Sequence, residues 1–444
     1  MQATVVAMPG VPKEYLIMYK ELLLLLASTW SGTGWAVPPP LPAEPVPRPA
    51  QMAWQRMELT MFLHFGVNTF NDREWGDGQE DPDLFHPSEL DCRQWAREAK
   101  DAGVGMMILT ATHHDGFCLW PTAHAEHCVK RSAWRDGKGD VMREFVDACR
   151  AEGLQAGFYL SPWDRHDARY GGKAYNEFFK AQLDELMVQY GPISEVWFDG
   201  ASKGEITPYD WRGYYDVVYG RNPSAVIAIC GPDIRWVGNE SGVARPGESS
   251  VQEAQKERHF GRRGKVWYPA ECDVSIRPGW FYHPAQDAQV KSLDHLLDIY
   301  FKSVGRNSVL LLNVPPDRRG RFADADFTRL REFRAALDKI FDTNFAAGRP
   351  VSASEIRGND TRFGPGRAVE GVLETYLAND VGVAEAWLEF DFGDARRVNV
   401  ACVQEYLTLG ERIGRYRVEL RVDGRWRTVG RGTVIGHKNL LRFP

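Results

Sequence analysis

Residues 106–115 read MMILTATHHD: an apolar run from Met106 to Ala111, then Thr112, two histidines and Asp115. A run of this length, unbroken by charged residues and ended abruptly by ionisable ones, is how a strand reads when both faces of its sheet are covered. The pattern recurs at Leu59–Val67, Gln155–Leu160, Glu195–Phe198, Ala225–Ile229, Lys265–Tyr268 and Val309–Val314. Amphipathic stretches lie between them, among them Cys92–Ala102, Asp140–Glu152, Tyr175–Tyr190 and Gln286–Gly305. Strands alternating with helices predict a parallel α/β architecture. Seven such runs predict a (β/α)8-type barrel over residues 52–342 rather than a small doubly wound sheet. No GxGxxG follows the first run and no GxxxxGK[ST] occurs, so a nucleotide-binding α/β fold lacks its phosphate turn.

The flanks have a different character. Residues 349–444 carry short alternating segments, Ala386–Phe390, Val398–Gln404, Tyr416–Val422 and Trp426–Val434, with a turn at Val422-Asp423-Gly424. They predict an all-β sandwich that lacks its closing strands, since such modules need about a hundred residues. Residues 37–51 are Pro-rich and read as an extended linker. Residues 1–36 read as a secretory signal peptide: Lys13 and Lys20 precede the apolar run Leu22–Ala27, and Gly34 and Ala36 offer small residues for cleavage. That run is too short to span a membrane, which takes about 20 apolar residues. The expected location is therefore extracellular.

The whole chain has 444 residues, 43% of them hydrophobic and 26% charged, with a net charge of −6. That balance gives no field to attract nucleic acid or an anionic membrane. The seven cysteines form no CxxC pair, so a zinc ribbon or dithiol redox site is unsupported.

The chemistry gathers where the runs end. His64 lies near the end of the first, His113-His114-Asp115 end the second, Ser161-Pro162-Trp163-Asp164 the third and Asp199-Gly200 the fourth; Asp233, Arg235 and Glu271 follow later ones. In β/α barrels the carboxyl ends of the strands form the active-site rim. Adjacent histidines project to opposite faces of a strand, and neither HExxH nor HxH occurs, so no metal or other cofactor is expected. No GxSxG elbow supports a serine nucleophile. Carboxylates with histidines and tryptophans at one rim suit glycoside hydrolysis, in which one carboxylate attacks the anomeric carbon and another delivers the proton.

Five ordered motifs carry a family resemblance: Met61-Phe62-Leu63-His64-Phe65-Gly66, Glu74-Trp75-Gly76, His113-His114-Asp115-Gly116-Phe117, Phe158-Tyr159-Leu160-Ser161-Pro162-Trp163-Asp164 and Glu195-Val196-Trp197-Phe198-Asp199-Gly200. Together they resemble the α-L-fucosidases of glycoside hydrolase family 29. Ser161–Asp164 and Trp236-Val237-Gly238-Asn239-Glu240 resemble its branch restricted to α-1,3- and α-1,4-linked fucose, which includes plant enzymes; Gln404-Glu405-Tyr406 and Ile435–Lys438 resemble that branch's discoidin-like module.

The resemblance implies a retaining exo-glycosidase with a covalent fucosyl–enzyme intermediate. It makes Asp199 the nucleophile and favours Glu240 as acid/base, with Glu248 and Glu271 as further candidates. Fucose recognition falls to His64, Glu74, Trp75, His113, His114 and Trp280, with Trp163 and Asp164 shaping the region beyond the sugar. The implied partner is a fucosylated oligosaccharide or glycoprotein. A non-catalytic carbohydrate-binding protein and a fucosidase of broad linkage tolerance are the alternatives. Asn239-Glu240-Ser241 and Asn359-Asp360-Thr361 are glycosylation sequons. Asn239, beside the favoured acid, is expected to stay unmodified.

Overall fold

The computed structural model describes residues 2–9, 37–201 and 208–444. They form two compact units: residues 47–342, and the N-terminal residues through 46 together with 343–444.

The larger unit is the barrel. Its strands are β1 (Leu59–Leu63), β2 (Met106–Thr112), β3 (Gln155–Leu160), β4 (Glu195–Phe198), β5 (Val226–Ile229), β6 (Arg235–Trp236), β7 (Ala270–Ser275) and β8 (Ser308–Asn313). All pair in parallel, in the spatial order β5-β4-β3-β2-β1-β8-β7-β6. A single parallel bridge between Ala228 and Ile234 nearly closes the ring. Every residue of β1, β2, β7 and β8 is buried, as strands covered on both faces must be. The helices begin and end on local signals. Asp91, Asp140 and Asp210 each accept a backbone N–H at the start of Cys92–Asp101, Val141–Glu152 and Trp211–Arg221. Gly153 closes Val141–Glu152 with φ 75°, a left-handed turn that suits a residue without a Cβ.

Two barrel strands lie where the apolar runs do not put them. Lys265–Trp267 pairs antiparallel with Val251–Glu253 in a separate two-stranded sheet, and the barrel uses β6 and β7 instead. The reason is polarity inside the barrel. Arg235, Glu271 and Asp273 are buried on β6 and β7, so neither strand reads as a continuous apolar run. The barrel unit also begins earlier than residue 52: helix Pro49–Gln55 lies partly in the Pro-rich stretch and buries Trp54 in the core.

The barrel interior is held by carboxylate–indole pairs. Trp54 Nε1 donates to Glu195 at 2.8 Å, and Trp197 Nε1 donates to Glu271 at 2.8 Å. Burial first, and then the Glu195 charge, push the Glu271 carboxyl well above its usual range.

The smaller unit has a five-stranded antiparallel sheet, in the order Val351–Ala353, Ala386–Asp391, Gln2–Pro9, Ile413–Val422, Arg425–Gly432. Val400–Val403 and Asn439–Arg442 form a second, two-stranded sheet. The hairpin expected at Val422-Asp423-Gly424 is present, with Asp423 at φ 49° and Gly424 at φ 76°, the left-handed pair that a two-residue turn requires. Gln2–Pro9 falls within the stretch read as a leader, so cleavage after Ala36 would remove this central strand. The apolar run Leu22–Ala27 lies outside the described residues. No described helix is long and apolar enough to cross a membrane.

Candidate active site

The carboxyl ends of the strands converge on one mouth. Asp199 follows β4 directly. Its Oδ2 accepts the Tyr159 hydroxyl at 2.9 Å and its Oδ1 accepts Ala201 N–H at 2.6 Å. His114 Nε2 stands 3.8 Å from Oδ2. The Asp199 side chain keeps 24% of its surface open, enough to meet a ligand. Below it, Tyr159 stacks on Trp197 at 5.3 Å, and Phe62 packs against both rings.

The three predicted histidines share the pocket. Ring centroids lie 4.1 Å apart for His113 and His114, and 5.6 Å for His64 and His113. Burial pulls all three below the usual histidine range, His64 to about 3 and His114 to about 4, with His113 well below it too. They are neutral at neutral pH, and their networks assign the tautomers. Asn313 Nδ2 donates to the Trp280 carbonyl at 2.8 Å, so its Oδ1 accepts from His64 Nδ1 at 2.8 Å. Ser161 donates to the Trp163 carbonyl and so accepts from His114 Nδ1 at 2.8 Å. Both histidines thus turn an Nε2 lone pair into the pocket, ready to accept from a sugar hydroxyl. His113 Nδ1 is buried and lacks a partner in the described structure, and a bound hydroxyl would supply one.

Glu74 is tied to the far wall. It accepts the Trp280 and Phe281 N–H groups at 2.8 and 3.3 Å and meets His283 Nε2 at 2.5 Å. His283 Nδ1 lies 2.8 Å from Asp72. Burial opposes its proton, but the two carboxylates outweigh burial and raise it above the usual histidine range. Trp280 tilts over His64 at 5.1 Å. Trp75, 55% exposed, stands edge-on to His114 and Trp163, both at 5.5 Å.

The acid/base candidates separate cleanly. Glu240 is exposed at the mouth, where Trp280 Nε1 donates to it at 3.3 Å. Glu248 is 2% exposed and clamped between Arg235 and Arg245. Glu271 is fully buried at the start of β7, under Trp197, rather than at a strand end on the rim. Asp233 and Arg235 also leave the rim. Asp233 holds Arg48 and the Tyr219 hydroxyl, and Arg235 pairs with Glu248. Asp164 is buried too: its Oδ1 accepts the N–H groups of His166 and Asp167, which fixes its own loop, while Trp163 packs on His114 at 4.8 Å. Asn239 spends its amide nitrogen on the Val243 carbonyl.

Sequence reading named neither Tyr159, Asn313, His283 nor Asp273 as site residues. Tyr159 and Asn313 sit inside apolar runs. A signal was present for Tyr159, which lies two residues before Ser161 and so shares its face of the strand.

A parallel β/α barrel with carboxylates, neutral histidines and aromatic rings at the carboxyl end of its strands has the architecture of a glycoside hydrolase. Comparisons with known proteins narrow the class. The family model for alpha-L-fucosidase matches residues 53–339. The chain is 44% identical over 438 residues to a rice (Oryza sativa subsp. japonica) protein provisionally named alpha-L-fucosidase 1, covering 95% of this chain and 84% of the relative. It is 41% identical to the Arabidopsis thaliana alpha-L-fucosidase 1, covering 95% and 86%. A solved structure of a Ruminococcus gnavus GH29 fucosidase in complex with fucose superimposes with a TM-score of 0.85 at 32% identity, covering 93% of this chain and 91% of that one. The chain belongs to the α-L-fucosidase family, glycoside hydrolase family 29, and its activity is that of an α-L-fucosidase.

Proposed function

We propose that the chain is a retaining exo-α-L-fucosidase that removes terminal α-1,3- and α-1,4-linked fucose from oligosaccharides and glycoproteins. The observation that carries this reading is the division of carboxylates at the barrel mouth. Asp199 is pinned by Tyr159 and Ala201, and Glu240 is open to solvent beside Trp280. Glu248 and Glu271 are sealed in the interior.

In the first step Asp199 attacks the anomeric carbon of fucose. The bond to the aglycone oxygen breaks, and Glu240 transfers its proton to that oxygen. In the second step Glu240 takes a proton from water, whose oxygen displaces Asp199 and releases fucose. The Tyr159 O–H steadies the Asp199 carboxylate that leaves. His64, His113 and His114, being neutral, can accept from the sugar hydroxyls without adding positive charge.

Linkage preference is supported by the exposed aromatic rings at the rim, Trp75 and Trp236, which offer surface to the sugars beyond fucose. Binding energy gained there can be used at the transition state. A Lewis-type trisaccharide should be cleaved with a kcat/KM about a hundredfold or more above that of an α-1,2-linked fucosyl-lactose. Comparable values for the two substrates, with free fucose as the readout, would contradict the linkage assignment.

A further inference from the structure

Alternate residues of β7 face the barrel interior, and each fixes a side chain that builds the pocket. Glu271 holds the Trp197 indole, under Tyr159. Ser275 accepts from Asn313, which orients His64. Between them lies Asp273, 4% exposed, whose Oδ1 accepts the Trp236 indole N–H at 2.7 Å. Glu271 and Ser275 support groups of the fucose pocket, whereas Asp273 points its contact at a ring on the rim.

A carboxylate at that position is costly. Burial, chiefly, pushes it up to about 7, and the nearby Glu240 and Asp199 carboxylates add to the effect. Glu271 also faces it. Within that acidic surrounding the Trp236 N–H is the stabilising contact. An ionised acceptor makes a stronger bond to an indole than a neutral one would. Trp236 itself is 41% exposed, although it is a large aromatic ring on a barrel strand. Its single polar atom is tied inward, so its apolar face is presented outward in a fixed orientation. The next residue, Val237, is buried in a small cluster with Ala244, Ala270 and Cys272, which anchors the backbone on the other side. Glu240 follows four residues later on the same segment. The ring therefore stands on the side of the pocket where the proton is delivered and the leaving group departs.

We propose that Asp273 is a specificity-determining positioning residue: by anchoring Trp236 it fixes an aromatic platform for the pyranose ring to which fucose is attached. This rests on the assignment of Glu240 as acid/base and adds a binding surface to it. Carbohydrate rings present an apolar face of C–H groups, and a half-exposed, immobilised indole meets that face at small entropic cost.

The test compares two substrates: a Lewis-type trisaccharide, whose leaving group is a sugar, and α-L-fucosyl fluoride, whose leaving group has no ring to stack. Asp273→Leu should lower kcat/KM for the trisaccharide at least about tenfold more than for the fluoride, mainly through KM. Asp273→Asn, which keeps an oxygen acceptor for the indole, should recover most of that selectivity. Trp236→Ala should reproduce the Leu phenotype, and the double variant should be no more selective in its loss than either single one. Should Asp273→Leu fail to fold, Trp236→Phe, which keeps a ring but lacks the N–H, gives the same contrast in milder form. Equal losses on both substrates, or a trisaccharide KM unmoved in Trp236→Ala, would overturn the proposal while leaving the fucosidase reading intact. A wild-type chain that turns over neither substrate would overturn both.

Discussion

Asp199 and Glu240 reach the pocket by different routes, and this decides how each can be tested. Asp199 is rigid, since it follows a buried strand and both of its oxygens are engaged. Glu240 is held by one long indole contact. A general acid matters most when the leaving oxygen is poor, because that oxygen must gain a proton as the bond breaks. Glu240→Ala should therefore lose about a hundredfold or more on a Lewis-type oligosaccharide and far less on an aryl fucoside with an activated phenol. A similar loss on both substrates would place the proton donor elsewhere. At this scale the sequence was legible where function breaks a pattern. His113, His114 and Asp199 end apolar runs and His64 interrupts one near its end, and that break in pattern exposed them. Asn313 and Asp273 were not legible, because their roles depend on partners 249 and 37 residues away, and the face that Tyr159 shares with Ser161 gave no hint of its partner 40 residues away.

At the scale of elements, the barrel shows what an apolar pattern detects and what it misses. Strands β1 to β5 and β8 are mostly apolar, with Glu195 on β4 a buried carboxylate at the start of its run, and their runs located them. Strands β6 and β7 carry charge inside the barrel, so an apolar run nearby, Lys265–Tyr268, took their place in the reading. The charge is compensated: Arg235 on β6 meets Glu248, which also holds Arg245. Removing one partner of a buried pair leaves the other charge unpaired, at a cost of about 3 kcal/mol or more. Glu248→Gln should therefore lower the melting temperature by roughly 5 °C or more without a substrate-dependent loss of rate. If the variant instead loses oligosaccharide turnover selectively at unchanged stability, Glu248 is the acid/base. The hairpin at Asp423-Gly424 was legible for a local reason, since two adjacent left-handed residues favour few sequences. Strand Gln2–Pro9 was not, because its pairing with segments some four hundred residues distant leaves no local trace.

For the whole molecule, buried titratable groups set a pH window. Burial raises Asp115 and Asp273 to about 7, and it raises Glu405 in the smaller unit to about 7. A carboxyl raised above its unfolded value contributes stability that is complete below the unfolded pKa and is lost as pH rises through the folded one. His64 and His114 are depressed to about 3 and about 4. Their contribution is present above the unfolded histidine value of about 6.5 and is lost as pH falls toward the folded values. Melting temperature should therefore decline from pH 6 to pH 8.5 as the carboxyl contribution is lost, whereas from pH 6 to pH 4 the carboxyl and histidine contributions oppose each other. A melting temperature that rises from pH 6 to pH 8.5 would contradict these assignments.

In the proposed mechanism this barrel forms a covalent bond to fucose through Asp199, and that bond can be trapped. A 2-deoxy-2-fluoro-L-fucosyl fluoride should form that ester quickly and release it slowly, because fluorine at carbon 2 destabilises both positively charged transition states while fluoride leaves readily. Peptide mass spectrometry of the inactivated protein should find one added 2-deoxy-2-fluorofucosyl group, on the peptide that contains Asp199, and none in Asp199→Ala. A label on another residue, or turnover of natural substrate with inversion at the anomeric carbon, would contradict the account.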